Sequence, residues 1–154
     1  MAQNEYEAKF LEIDVEGTLG ALRTAGAEQV FPKTTLTLKQ VTDATHIHGT
    51  TEIEIEVDDL AKTAELLAAL GLRQVRYQQN YREEWQLGGV TYDFDTWPDL
   101  PTFLEIEGPS EAAVKEAVAE LGLDYGQARF GSIDLIYKSE VGRDILSEPT
   151  LLFT

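Results

Sequence analysis

The sequence contains no cysteine. A disulfide framework, a thiolate zinc site and a thiol nucleophile are therefore excluded. Positive charge is scarce: 12 Lys plus Arg stand against 28 Asp plus Glu, for a formal net charge of −16. Such a surface repels nucleic acid and anionic membranes, so neither is expected as a partner. Long hydrophobic runs are missing, and the opening Met1-Ala2-Gln3-Asn4-Glu5 has neither a basic nor an apolar segment. A soluble, cytoplasmic protein is expected. Gly-x-x-x-x-Gly-Lys, Gly-x-Gly-x-x-Gly and a nucleophile elbow are absent too, which removes P-loop, Rossmann and serine-hydrolase readings.

What remains is an ordinary apolar fraction, 43% of 154 residues, enough for a single domain over 1–154. Period-2 segments alternate with short amphipathic helices. Strands are expected over Glu5–Ile13, Thr34–Lys39, Glu52–Val57, Arg73–Gln79, Arg82–Leu87, Val90–Asp95 and Thr102–Glu107. Asp14, Asp58 and Ser110 are placed to cap helices that end at Gly26, Gly71 and Gly122. Gly88-Gly89 reads as a tight hairpin turn, and the tail beyond Phe130 has no clear period. Three times a strand bearing Glu-x-Glu (Glu5/Glu7, Glu52/Glu54, Glu105/Glu107) leads into a capped helix that stops at glycine.

Sorting each strand by face separates two chemistries. One face carries Tyr6, Phe10, Leu36, Leu38, Ile53, Ile55, Val57, Trp85, Leu87, Tyr92, Phe94, Leu104 and Ile106. The other carries Glu5, Glu7, Lys9, Thr37, Lys39, Glu52, Glu54, Glu56, Arg82, Glu84, Asp93, Asp95, Glu105 and Glu107. A sheet with one solvated face explains the alternation alone. It does not explain carboxylates set against carboxylates on neighbouring strands, which calls for a cation between them. If the sheet closes with its apolar face outward under the helices, the carboxylates line a lumen. Oxygen ligands suit Mg²⁺ or Mn²⁺, and the few Lys and Arg suit the phosphates such ions carry.

The run Glu5-x-Glu7-x-Lys9 resembles the signature of the CYTH superfamily, the triphosphate tunnel metalloenzymes. Further pieces follow in order: Thr35-Leu36-Thr37-Leu38-Lys39, Glu52-Ile53-Glu54-Ile55-Glu56-Val57, Tyr81-Arg82, Tyr92-Asp93-Phe94-Asp95 and Phe103-Leu104-Glu105-Ile106-Glu107-Gly108. The tail Phe130-Gly131-Ser132-Ile133-Asp134-Leu135-Ile136-Tyr137 is similar to that of members assigned as class IV adenylate cyclases. The resemblance implies an α+β fold: a closed antiparallel β-barrel of about eight strands with helices outside. It implies metal ligation by Glu5, Glu7, Glu105 and Glu107. Lys9, Lys39 and Arg82 would bind and orient the triphosphate, with Glu52, Glu54 and Asp95 lining the tunnel. The activity implied is that of a divalent-metal-dependent phosphohydrolase or cyclase, with Mg²⁺ or Mn²⁺ as cofactor. Its substrate would be a small triphosphate: tripolyphosphate, thiamine triphosphate or ATP. A homodimer is left open.

Two departures bear on this. Family members carry two further strands with an Arg-x-Arg pair ahead of the Thr-Leu-Thr-Leu-Lys strand, whereas here Phe31-Pro32 runs straight into Lys33-Thr34. The segment is either deleted or omitted from the sequence as written. The position two before Arg82, often lysine in the family, is Asn80. A chain without those cations gives the alternative reading, a non-catalytic module that binds metal with polyphosphate or nucleotide. His46-x-His48 lies in a polar loop without a third ligand nearby and is expected to be solvated; Trp85 and Trp97 are expected to pack in the core.

Overall fold

The computed structural model describes residues 2–154. Its elements are β1 (Gln3–Phe10), α1 (Val15–Ala25), β2 (Glu28–Val30), β3 (Thr35–Val41), β4 (Thr50–Glu56), α2 (Leu60–Ala69), β5 (Tyr77–Gln78), β6 (Tyr81–Leu87), β7 (Val90–Thr96), β8 (Phe103–Gly108), α3 (Glu111–Glu120), α4 (Ile133–Glu140) and β9 (Thr150–Leu151). Seven strands form one sheet in the order β2-β6-β7-β8-β1-β4-β3. Every pairing within it is antiparallel. The strands β5 and β9 make a separate, parallel pair.

The fold is thus α+β, as expected, but the sheet stops short of closure. Its edge strands, β2 and β3, share no hydrogen bonds. They are nevertheless consecutive in the chain, joined by Phe31–Thr34. Four residues hold the two edges within about 18 Å of each other. Lys39 of β3 and Arg82 of β6 also line one cavity, from nearly opposite ends of the strand order. The sheet therefore curls into a trough with the carboxylate face inside. What prevents closure is local: β2 is only three residues long, and the short link to β3 leaves no chain to bridge the gap.

Over most of the trough the outer, apolar face is covered. Leu19 and Leu22 of α1, and Val114, Ala117 and Val118 of α3, bury against Ala8, Phe10, Trp85, Tyr92, Phe94, Leu104 and Ile106. Asp14 and Ser110 start these helices by accepting from Gly17 N–H and Ala113 N–H. Gly26 ends α1 at φ +85°, a left-handed conformation that suits glycine. Gly88 and Gly89 both take positive φ, the requirement of the two-residue hairpin joining β6 to β7.

A second small core forms at the tail, where Tyr137, Ile145 and Leu151 pack with Trp97, Leu100 and Ile133. Tyr137 donates its hydroxyl to Pro98 O, and burial pushes its pKa up to about 12. Arg143 forks onto Glu148 (2.7 and 2.6 Å) and reaches Asp99 (2.6 Å), pinning the tail to the β7–β8 turn.

Local differences from the sequence expectations have physical causes. Of the strand expected over 73–79, only Tyr77–Gln78 pairs; Arg76 instead donates to Leu146 O, drawing the segment toward the tail. The cap of α2 is Asp59, not Asp58, and its side chain accepts from Lys62 N–H. The short strand β2 and the helix α4 were not expected as such, because three and eight residues carry little periodicity. Trp85 is in the core as expected, and Trp97 packs half-buried against the tail.

Candidate metal and phosphate site

Register fixes which groups meet on the trough's inner face. Glu7 lies opposite Glu107 and Lys9 opposite Glu105 across β1–β8. Asp93 lies opposite Glu105 across β7–β8, and Arg82 opposite Asp95 across β6–β7. Lys39 lies opposite Glu52 across β3–β4. Since side chains on paired residues share a face, this register assembles the carboxylates and cations into one field.

Three cations organise that field. Lys9, 4% exposed, pairs with Glu7 and sits 3.1 Å from Glu105. Lys39 reaches across to Glu5 at 2.5 Å and lies 3.6 Å from Glu52. Arg82 forks onto Asp95 at 2.7 and 2.6 Å, contacts Asp93 at 2.8 Å and donates to Glu105 at 3.2 Å. Of these groups, Glu5, Glu7, Lys9, Lys39, Arg82, Asp95 and Glu105 line a cavity of about 230 Å³, whose wall also includes Trp97, Phe103 and the Gly131–Ile133 segment leading into α4. A larger cavity of about 450 Å³ between Phe10–Glu12 and Leu123–Arg129 offers Arg129 as its single cation.

The expected ligands divide into two sets. Glu5 and Glu107 converge, but their third neighbour is Glu52; one oxygen from each lies within 4.8 Å of the others. Glu7 and Glu105 are turned toward Lys9. Glu54 shares the face but donates nothing to the cluster, accepting instead from Thr37 at 2.8 Å. His46 bonds Asp43 at 2.7 Å in an exposed loop, away from the carboxylates, in line with a solvated histidine.

The electrostatics follow from the imbalance of seven inner carboxylates (Glu5, Glu7, Glu52, Asp93, Asp95, Glu105 and Glu107) against three cations. Burial and the charges of Glu5 and Glu52 push Glu107 up to about 7. Burial and Glu5 also raise Glu52. Asp93 rises to about 8, mainly through burial, with Arg82 opposing. Burial alone would raise Glu105 as well, but Lys9 and Arg82 hold it below the ordinary value. Lys39 moves up, since Glu5 beside it outweighs desolvation. One oxygen of Asp93, a residue 3% exposed, has no hydrogen-bond partner. Sequence reasoning placed Asp93 on this face without giving it a role; the signal was its spacing of two from Asp95.

This donor set fits a hard divalent cation. Three carboxylate oxygens converge without nitrogen or sulfur ligands, and their negative charge exceeds what the local cations neutralise. Ammonium and guanidinium groups stand next to that cluster, the arrangement needed to hold the oxygens of a metal-bound polyphosphate.

The comparisons with known proteins agree with the fold. The model of the CYTH domain matches residues 28–138. A conserved hypothetical protein of Pyrococcus furiosus superposes with a TM-score of 0.63 at 22% identity, covering 84% of this chain and 97% of its own. A protein of Vibrio parahaemolyticus, provisionally described as an adenylate cyclase, gives a TM-score of 0.68 at 11% identity, covering 90% and 99%. A Pyrococcus horikoshii protein gives 0.60 at 21% identity, covering 90% and 99%. At these identities the likeness is one of fold. No curated protein matches the chain by sequence.

Proposed function

The chain belongs to the CYTH domain family, and from that premise we propose that it is a divalent-metal-dependent enzyme acting on a triphosphate, with hydrolysis as its reaction. The observation that carries this reading is that Glu5 belongs both to the Glu5/Glu52/Glu107 oxygen cluster and to the lining of a small cavity that it shares with Lys9, Lys39 and Arg82. Glu5, Glu52 and Glu107 would hold Mg²⁺ or Mn²⁺, with Glu7 and Glu105 close enough to join once Lys9 is drawn to phosphate. A bound divalent cation supplies neutralisation of phosphoryl oxygens and a water of lowered pKa.

The chain's own residues do the rest. Lys9 is fixed by Glu7 and Glu105 and presents its ammonium to the phosphate chain from the floor of the trough. Lys39, more exposed, reaches the chain from the open side. Arg82 is held flat by Asp95 and Asp93 and orients the end of the chain nearest Trp97. Asp93, pushed up to about 8 by burial, stands behind Arg82 and off the cavity wall, where it helps to fix the guanidinium.

The cavity of about 230 Å³ has room for a phosphate chain, and its mouth is open, so a nucleoside or thiamine group attached to that chain would extend into solvent. Tripolyphosphate is the minimal substrate the site accommodates, and hydrolysis is the reaction that needs no ribose hydroxyl held in line. A second reading, a non-catalytic binder of metal and polyphosphate, is favoured by one observation: all three cations are already paired with carboxylates.

Turnover separates the readings. Phosphate release from tripolyphosphate with Mn²⁺ or Mg²⁺, lost in Glu5→Gln, supports the hydrolase. Cyclic AMP from ATP would move the assignment to cyclisation. A rise in melting temperature with metal and tripolyphosphate, without release of either product, would establish the binding module.

A further inference from the structure

The strand-to-helix unit that recurs three times in the sequence is treated differently by the fold at its three positions. After β1 and after β8 the helix lies on the sheet and buries its apolar residues. After β4 it does not. No residue of α2 is buried; Leu60, Leu66 and Leu70 are 66%, 61% and 71% exposed. The outward face of β3 and β4 is equally bare, with Leu38, Ile53 and Ile55 at 56%, 46% and 54%. A ten-residue helix is marginal in water unless its apolar stripe is covered.

We propose that a second copy of this chain supplies the cover, α2 of each copy lying on the outward β3–β4 face of the other. The chain carries both halves of the contact: a bare apolar helix and a bare apolar sheet face, the combination that α1 and α3 already form within one copy. An exchange of this kind is self-complementary, as a two-fold interface must be.

The area is of the right order. A fully buried aliphatic side chain corresponds to roughly 60–120 Å² of apolar surface, so the six residues at their exposures carry roughly 200–400 Å². With apolar atoms near 60% of an interface, that is roughly 350–700 Å² per partner before the half-buried Leu36 and Leu67 are counted. Standard interfaces bury roughly 600–1,000 Å² per partner.

Charge points the same way. Two molecules of net charge −16 repel, but the outward positions of β3 and β4, Leu36, Leu38, Gln40, Thr51, Ile53 and Ile55, are all neutral. They offer a place where two copies approach without opposing carboxylates. The free edge of β3 borders that same face and leaves its outer backbone groups unpaired.

The absence of native cysteine makes the test direct. Two single variants, Ile55→Cys and Leu66→Cys, are mixed and oxidised, and the double variant is oxidised alone. The mixed variants are expected to give a covalent dimer at twice the 17.1 kDa of one chain. Light scattering of the unmodified protein is expected to show a dimer that tightens with salt. Leu66→Lys with Ile55→Lys should weaken it by roughly a hundredfold or more, and Leu146→Lys, on the exposed tail, should not. Cross-linking only within single chains of the double variant would mean that α2 folds onto its own sheet, and the proposal is wrong. A monomer at 100 μM, or a dimer indifferent to the two lysines, would also overturn it.

Discussion

The two sides of the trough are built from the same sequence pattern and end up in different physical states. On the side of β1, β6, β7 and β8, the helices α1 and α3 cover the apolar face, and the inner groups are sealed: Lys9, Asp95 and Glu105 are 4%, 2% and 6% exposed. On the side of β3 and β4, the outer face is bare and the inner groups are open, with the side chain of Lys39 48% exposed and that of Glu52 23%. The site straddles the two. The sealed side contributes charges at fixed positions in a low-dielectric setting, where each is strongly felt. The open side contributes Lys39 and Glu52, which are free to move as a ligand enters. Alternation sets where a side chain points; what lies behind the strand sets how strongly it is held.

Substitutions behind the strands should expose the difference most. Leu104→Ala, in the sealed core, is expected to cost about 2–5 kcal/mol, because it leaves a cavity among packed neighbours. Ile55→Ala on the bare face should cost under about 1 kcal/mol in the monomer, which urea unfolding at low protein concentration will read. Equal costs would mean that β3–β4 is covered in solution.

Next in size are the two lysines. Lys9→Met removes the nearest counter-ion of Glu7 and Glu105, leaving them only Lys39 at 3.8 Å and Arg82 at 3.2 Å, and is expected to cost about 3 kcal/mol. Lys39→Met leaves Glu5, itself buried, without its cation, but the lysine is half exposed and water can take its place, so the cost should be smaller, about 1–2 kcal/mol. Thermal unfolding of both variants tests this, and added Mn²⁺ should rescue Lys9→Met partly, by neutralising the stranded carboxylates.

A pH series probes the excess negative charge. Glu107 titrates near 7 in the folded state against 4.5 ordinarily, because burial and Glu5, Glu52 and Glu105 disfavour its charge. The folded state then holds that proton more tightly than the unfolded chain does. The resulting stability is complete below pH 4.5 and is lost as pH rises through 7; Asp93 extends the loss toward 8. The metal-free protein is expected to melt roughly 5–10 °C lower at pH 8 than at pH 5, a gap that Mg²⁺ or Mn²⁺ closes at pH 8. The smallest effect is expected at His46→Ala, which should leave metal affinity unchanged, since His46 meets only Asp43 and Thr45 in an exposed loop.

Much of this was legible in the sequence because strand faces are a matter of spacing. The inner set Glu5, Lys9, Lys39, Arg82, Asp95, Glu105 and Glu107 follows from period 2, and the roles expected of those residues follow from the CYTH resemblance. Spacing says nothing about register, however. That Glu52 and not Glu7 joins Glu5 and Glu107 depends on how far β4 slides along β1, which only the pairing of Gln3 with Glu52 sets. Nor does an amphipathic stripe say what it will face. By spacing, Leu60, Ala64, Leu67 and Leu70 share one helix face, just as Leu19 and Leu22 do, yet only Leu19 and Leu22 are buried. The open edge between β2 and β3 was signalled by Phe31-Pro32-Lys33-Thr34, too short a link to add strands.

The central claim, that the inner face holds a divalent cation through groups drawn from both sides, is tested most directly by titrating Mn²⁺ into the protein at pH 8 with tripolyphosphate present. Calorimetry should show binding that weakens at least tenfold in Glu52→Gln, from the open side, and in Glu107→Gln, from the sealed one. Binding unaffected by either substitution, or no binding at all, would contradict the account.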